Sequence, residues 1–155
     1  MKSAEPFPME RAPASAPDRW RLTRPVRFVW RRPPAWVLRS LPARASLSLG
    51  RLCVSGDMVT LRLRRGWCFD VSAVPSFRRA MPAAAVHDWI YGHAELLAAL
   101  AGVSVRLILH VADRWFLAQM SASGFLLART YFVGDRKSTR LNSSHIGSSR
   151  MPSSA

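Results

Sequence analysis

Apolar and polar residues alternate in the middle of the chain, between Met58 and Arg65. In this segment Val59, Leu61 and Leu63 are separated by threonine and arginine. A period of two residues is typical of a strand with one buried face. The preceding "SGD" provides turn residues, so "SLSLGRLCVSGDMVTLRLRRGW" predicts one or two β-hairpins. Further upstream, the Val/Phe/Trp run in "RLTRPVRFVW" predicts another strand, which the prolines of "RRPPAW" end.

The pattern becomes helical in the second half of the chain. "PAAAVHDWIYGHAELLAAL" is rich in Ala and Leu, and Pro82 suits a first helical turn. "SVRLILHVADRWFLAQMSASG" predicts a second helix, with Ser104 as a possible N-cap and Gly124 as its end. "FLLARTYFVG" predicts the start of a third. Strands followed by helices predict an α+β fold, in which a small N-terminal β-hairpin or sheet precedes about three α-helices.

Two stretches are apolar enough to raise the question of a membrane span, 96–109 and 116–133. The first contains Arg106, and the second contains Gly124 and Arg129. A transmembrane helix usually needs about 20 mostly apolar residues. We therefore expect core helices, no transmembrane span, and a cytoplasmic or virion-associated protein. The two cysteines match no metal-binding spacing, which favours small apolar side chains in a reducing cytoplasm.

Both ends of the chain differ in composition from its middle. Residues 1–18 are rich in Pro and Ala without apolar periodicity, which predicts a disordered leader. Residues 135–155 are "DRKSTRLNSSHIGSSRMPSSA". Back-translated with ordinary codons in one frame, residues 135–145 and 149–155 resemble two fixed blocks of a widely used sequencing adapter, and residues 146–148 fall in its variable index. We therefore expect an adapter-derived tail, a natural C-terminus that is missing, and a single domain over 19–134.

The chain is strongly basic, with a formal charge of +14 from 23 Lys and Arg against 9 Asp and Glu. Lys2 and Lys137 are its only lysines. So many arginines beside abundant Ala and Pro are typical of a GC-rich genome. No aromatic stacking platform is arranged around them. Nucleic-acid binding through the Arg-rich N-terminal half is therefore the third of three functional hypotheses, and it predicts an affinity that falls steeply with salt.

Candidate chemistry centres on three aspartates that lie near histidines and aromatic residues: Asp70 in "GWCFDVSAVP", Asp88 in "AAAVHDWIYGH" and Asp113 in "LHVADRWF". On a helix, His87 and Asp88 point about 100° apart. His87 and Tyr91 share a helix face. Imidazole and carboxylate donors without thiolate suit a hard divalent metal. They equally suit a buried network in which His87 donates to a carboxylate, since buried charges must be paired.

The other two histidines of the helical half are weaker candidates for a functional site. His93 and His110 stand alone in amphipathic segments, which favours surface or core positions over ligand roles. His110 and Asp113 share a face at a spacing of three residues. The large aromatic residues around them are first of all core.

Four motifs together resemble a known family. "GWCFDVSAVP", "AAAVHDWIY", "ADRWFLAQM" and "GFLLARTYFVG" resemble, in that order, the motifs of the domain-of-unknown-function 1353 family of small phage and prophage proteins. The resemblance covers residues 66–134 and departs from the family at Phe69 and Ala73. The positions that match are Gly66, Asp70, Ser72, Pro75, His87, Asp88, Tyr91, Asp113, Phe116, Met120, Ala128 and Tyr131. It implies roles such as virion assembly, host lysis or modification, and virion or lysis components as partners.

Two further hypotheses follow, and whether the protein is an enzyme stays open between them. In the first, the chain is a divalent-metal hydrolase: His87, Asp88 and Asp113 hold the metal, Asp70 joins them or acts as base, and Tyr91 orients a ligand. Asp70 and His87 are then the catalytic candidates. In the second, the chain is a non-enzymatic phage structural or assembly protein, and the same residues form a buried structural network.

Overall fold

The computed structural model describes residues 6–13, 19–70 and 80–124. The elements in chain order are β1 (Met9–Arg11), β2 (Arg19–Leu22), β3 (Val26–Arg31), α1 (Ala35–Ser40), β4 (Arg44–Leu47), β5 (Gly50–Ser55), β6 (Met58–Leu63), β7 (Cys68–Asp70), α2 (Met81–Gly92), α3 (Ala94–Ala101) and α4 (Val105–Ala122). The strands form two antiparallel sheets, in the orders β1-β2-β7 and β3-β6-β5-β4. The predicted α+β fold is confirmed.

The four-stranded sheet contains the hairpins that the alternating pattern predicts. β4 and β5 are joined through Ser48 and Leu49, and β5 and β6 through Gly56 and Asp57. Gly56 has a φ of 59°, in the left-handed region that glycine adopts without a steric penalty. β3 joins the sheet from further upstream by pairing with β6. Both hairpins of the predicted segment are therefore present.

The three-stranded sheet corrects one prediction. The leader was expected to be disordered, and this is wrong for Met9–Arg11, which form β1 and pair with β2. The short strand is held because its backbone groups pair with an ordered neighbour. Phe7 and Met9 also pack against the core, and Arg21 of β2 forms an ion pair with Glu10 of β1.

The first predicted helix is interrupted. His93 has non-helical backbone angles and separates α2 from α3. Its ring Nδ1 donates to the carbonyl of Trp89 at 2.7 Å, while its backbone N–H donates to Ile90. A side chain that takes over a helical acceptor in this way competes with the backbone ladder.

The second predicted helix is confirmed as α4. Ser104 is its N-cap, and the Ser104 side chain accepts from the backbone N–H of Leu107 at 3.3 Å. The predicted third helix lies outside the described residues. Within those residues, no single helix is long and apolar enough to cross a membrane, and α3 and α4 reach that length and composition only as a pair bent by 112°.

The main core lies between the inner face of the four-stranded sheet and the helices. Trp89 of α2 and Trp115 of α4 are fully buried, and Trp115 stacks on Trp30 of β3 with ring centroids 5.7 Å apart. The indole N–H of Trp89 donates to the carbonyl of Ser48 at 3.1 Å, so α2 touches the β4–β5 turn. This close approach requires Gly50, because a Cβ there would collide with the Trp89 ring.

Candidate functional site

Three elements bring the predicted site residues together. α2 packs against both α4 and β7. His87 and Tyr91 lie one turn apart on α2 and face Asp113 of α4, while Asp88 reaches the end of β7 at Asp70. The helical spacing therefore predicts the shared face of His87 and Tyr91 correctly. We call His87, Asp88, Tyr91 and Asp113 the His–carboxylate cluster.

One oxygen of Asp113 is the centre of this cluster. His87 Nε2 donates to Asp113 Oδ1 at 3.2 Å, and the Tyr91 hydroxyl donates to the same oxygen at 2.8 Å. The rings of His87 and Tyr91 are stacked with centroids 4.1 Å apart, and Phe116 contacts the His87 ring edge-on at 5.3 Å. The side chain of Asp113 is only 12% exposed, so these contacts hold a carboxylate that is largely removed from water.

Asp88 connects the cluster to the sheet. Its Oδ1 lies 3.8 Å from His87 Nδ1, and its Oδ2 accepts from the backbone N–H of Asp70 at 2.7 Å. Asp88 is thus the partner of the last residue of β7 as well as a neighbour of the imidazole. Asp70 meets the cluster through its backbone, a contact that residue spacing does not predict.

The two carboxylates determine the charge of His87. Burial by itself lowers the pKa of an imidazole. The hydrogen bond to Asp113 and the nearby Asp88, with the Coulomb attraction of both carboxylates, outweigh burial and raise the pKa of His87 from 6.5 to about 9. At neutral pH the ring is therefore a buried imidazolium, with one N–H on Asp113 and the other facing Asp88.

The described side chains of the cluster are not arranged as a metal site. Among the described residues, no group of three or more His, Cys, Asp and Glu side chains is arranged to hold a metal ion. A metal-bound histidine is neutral, so a metal at His87 would have to displace the proton that the neighbouring Asp113 and Asp88 stabilise there.

The other motif residues that the structure describes lie in a turn or in the hydrophobic core. Gly66 makes the turn before β7 with a φ of 90°, and Phe116 and Met120 are buried against Ala80 and Ala83. Ser72, Pro75, Ala128 and Tyr131 lie outside the described residues.

His93 and His110, which were predicted to hold surface or core positions and not ligand roles, pack against aromatic rings. His93 packs on Trp89, with ring centroids 4.7 Å apart, and His110 stacks on Trp36 of α1 at 5.0 Å. His110 and Asp113 lie three residues apart on α4; His110 stacks on Trp36, and Asp113 accepts from His87 and Tyr91.

A second polar surface was not predicted as a unit. The outer face of the four-stranded sheet carries five exposed arginines, which we call the arginine face: Arg27, Arg31, Arg44, Arg51 and Arg62. The opposite side chains of the same strands, such as Phe28, Leu52 and Leu61, are buried in the core. The alternating pattern of β6 is the sequence signal for this surface, but it does not show which arginines become neighbours.

Strand register places three of these arginines in a row. Arg27 pairs with Arg62, and Arg62 pairs with Arg51. Two depressions of about 520 and 400 Å³ lie along this face. The larger is lined by Arg44 and the smaller by Arg27 and Arg62, and Arg51 and Cys53 line both. The depressions therefore run together across the sheet.

Comparisons with known proteins add no assignment to this geometry. No protein-family model matches the chain, and no curated protein or solved structure matches it significantly. The function of the chain is therefore inferred from the His–carboxylate cluster and the arginine face.

Proposed function

We propose that this chain is a non-enzymatic structural or assembly protein, in which the His–carboxylate cluster holds α2, α4 and the end of β7 together. One observation carries the proposal: both ring nitrogens of His87 face carboxylates. A fully paired buried ion is tolerated in a protein interior, whereas an unpaired one is strongly destabilising.

The protonation of His87 supports this function over hydrolysis. A general base or a metal ligand needs a free lone pair near pH 7. His87, with a pKa of about 9, has a proton on both nitrogens at that pH. The ring is also covered by Tyr91 on one side and contacted by Phe116.

The connectivity of the cluster supports a structural role as well. Asp113 joins α4 to α2 through two donors, and Asp88 joins α2 to the backbone of β7. Each contact has a defined direction, so the cluster favours one relative placement of the three elements. The setting of such a role in phage assembly is supported by the resemblance of the four motifs to a phage family.

Metal titration tests the proposal against the hydrolase hypothesis. Thermal melting of the full chain is measured with 1 mM EDTA and with about 1 mM Mn²⁺ or Zn²⁺, since a ligand that binds the folded state raises Tm by mass action. For each of the two proteins, the natural chain and His87→Ala, we expect a Tm that does not change between EDTA and metal. A metal-dependent rise in Tm that disappears in His87→Ala would overturn the proposal.

A double-mutant cycle gives the positive test. His87→Gln, Asp113→Asn and the double variant are compared by urea unfolding at pH 7. Residues in one buried network typically show a coupling of about 0.5–3 kcal/mol, and we expect a value in the upper half of that range. Additive single effects would contradict a structural His87–Asp113 pair.

A further inference from the structure

We propose that the arginine face binds the phosphate backbone of nucleic acid without reading its base sequence. This function lies on a surface separate from the His–carboxylate cluster, and it goes beyond the structural role proposed above. The juxtaposition that carries it is the row Arg27–Arg62–Arg51 on one exposed sheet face, with Arg44 on the neighbouring strand diagonal to Arg51.

The row is unfavourable unless something neutralises it. Neighbouring strands lie about 4.8 Å apart, and like charges directly opposite each other destabilise a sheet. No Asp or Glu occupies an outward position on β3, β4, β5 or β6. Within the described part of the chain, none of the five arginines forms a salt bridge, and the nearby Asp57 pairs with Arg32 instead. The described residues therefore leave this face without a balancing charge, which favours an anionic partner.

The shape of the face fits a linear polyanion better than a single small anion. The joined depressions extend from Arg27 on one edge strand to Arg44 on the other. Three inter-strand spacings make this distance about 14 Å, which is longer than the separation of two consecutive phosphates on one strand. A free phosphate or carboxylate would contact one or two of these arginines and leave the others unneutralised.

The side chains of the face also indicate how nucleic acid is held. Guanidinium groups form paired hydrogen bonds with phosphate oxygens. Thr60, Ser55 and Ser46 add hydroxyl donors on the same face. No Phe, Trp or Tyr occupies an outward position on these four strands. Base stacking, which holds single strands on aromatic platforms, is therefore not expected, and contacts to the backbone dominate.

An anionic membrane surface is the less favoured partner. Stable attachment to a membrane usually combines basic residues with inserted apolar side chains. The exposed large apolar residues of the described chain are not on the arginine face, because Leu49 lies in the β4–β5 turn and the others lie on α3 and α4. The arginine face provides charge and hydroxyl groups in a depression, which suits a phosphodiester chain.

The test measures binding of the full chain to a fluorescent 25-nucleotide DNA, single-stranded and duplex, from 50 to 300 mM NaCl. The variant Arg51→Gln/Arg62→Gln removes two neighbours from the row. Its control, Arg106→Gln/Arg114→Gln, removes the same charge from exposed positions on α4. Each lost phosphate contact flattens the plot of log affinity against log salt by about 0.7 for single strands and about 0.9 for duplex.

We expect the face variant to bind at least tenfold more weakly at 50 mM NaCl, with a flatter salt dependence, and the control to bind nearly as the natural chain does. Equal weakening of both variants would overturn the proposal, because binding would then follow net charge alone. Absence of DNA binding at 50 mM NaCl would overturn it too. Binding to vesicles of 30% anionic lipid but not to DNA would overturn it in favour of a membrane. Circular dichroism checks that both variants fold. The DNA-binding result and the metal titration are independent, so failure of this proposal can be distinguished from failure of the proposed structural function.

Discussion

The protein places charge in two opposite ways. In the His–carboxylate cluster, a cation lies between two carboxylates and is shielded from water. On the arginine face, cations lie beside cations and are exposed. The cation of the cluster is paired by carboxylates of the cluster itself, so its effect is on the folded state. The face is balanced by nothing on its own strands, so its effect is on what approaches from outside.

Substitutions in the His–carboxylate cluster should therefore change stability, and substitutions in the arginine face should change binding. Removing a charged member of the cluster takes a hydrogen-bonded partner from a buried ion, which is strongly destabilising. Removing an arginine from the face takes away repulsion and costs the fold little. Variants in the two regions should therefore have effects of opposite sign on the free energy of unfolding.

The largest expected effect breaks the cluster at its centre. Asp113→Asn removes the carboxylate on which His87 and Tyr91 converge. Breaking a buried ion pair typically costs about 3–5 kcal/mol, and we expect a loss in this range by urea unfolding at pH 7. The matched control is Asp57→Asn, which removes an exposed partner of Arg32 and should cost below about 1 kcal/mol. Equal losses would remove the distinction between the two kinds of charge.

The second prediction tests whether the sheet and α2 form one packed unit. Gly50→Ala places a methyl group against the Trp89 ring, 2.8 Å from Cζ2 and closer to two other ring atoms. The ring cannot retreat easily because it is buried and its N–H is bound to Ser48. Overpacking of this kind costs about 1–3 kcal/mol or more, and we expect about 3.

Gly92→Ala is the control for that substitution. A Cβ at Gly92 meets nothing within 4 Å, and alanine is favoured over glycine in a helix by up to about 1 kcal/mol. This variant should therefore match or exceed the natural chain in stability. A neutral Gly50→Ala would mean that α2 is not fixed against the β4–β5 turn.

The third prediction concerns pH. Because the folded-state pKa of His87 is raised above 6.5, to about 9, its contribution is fully present below about pH 6.5 and is lost as pH rises through about 9. From pH 7 to pH 10 we expect the free energy of unfolding to fall by about 2 kcal/mol through this group. Urea unfolding of the natural chain and of His87→Gln across this range measures the difference. Parallel pH profiles for the two would contradict a buried imidazolium.

The smallest effect concerns the arginine face. Arg62→Gln removes the middle charge of the row between Arg27 and Arg51. Relief of cross-strand repulsion should raise the free energy of unfolding by about 0.5 kcal/mol at low salt. In 0.5 M NaCl the gain should vanish, since exposed charges are then screened. A destabilised variant at low salt would show that Arg62 has a favourable partner.

Sequence patterns predict the helices and strands of this fold better than they predict which of them pair or pack together. Alternation and the turn residues predict one or two hairpins where the structure has two, and Ser104 predicts the start of α4, because these signals are local. The break at His93 is missed because the Ala- and Leu-rich pattern continues across it. β1 is missed because three residues have no period to detect, and their pairing with β2 is a tertiary contact.

The same limit applies to the site. Helical spacing predicts that His87 and Tyr91 share a face, but it gives no reason for Asp88 to bind the backbone of Asp70 at the end of β7. The alternation of β6 shows that Arg62 points away from Leu61 and Leu63, but not that Arg27 lies beside Arg62. That adjacency depends on the register of β3 against β6, which joins strands that are distant in sequence.

The row of arginines also determines how copies of this chain meet one another. Stacked sheets pack about 10 Å apart, so a second copy that approached through the same face would bring its own guanidinium groups close to the first set. The edge strands β3 and β4 carry Arg27, Arg31 and Arg44, and charged edges oppose strand addition and aggregation. We therefore expect the arginine face also to oppose self-association in concentrated solution, and polyanions that cover it to remove that protection.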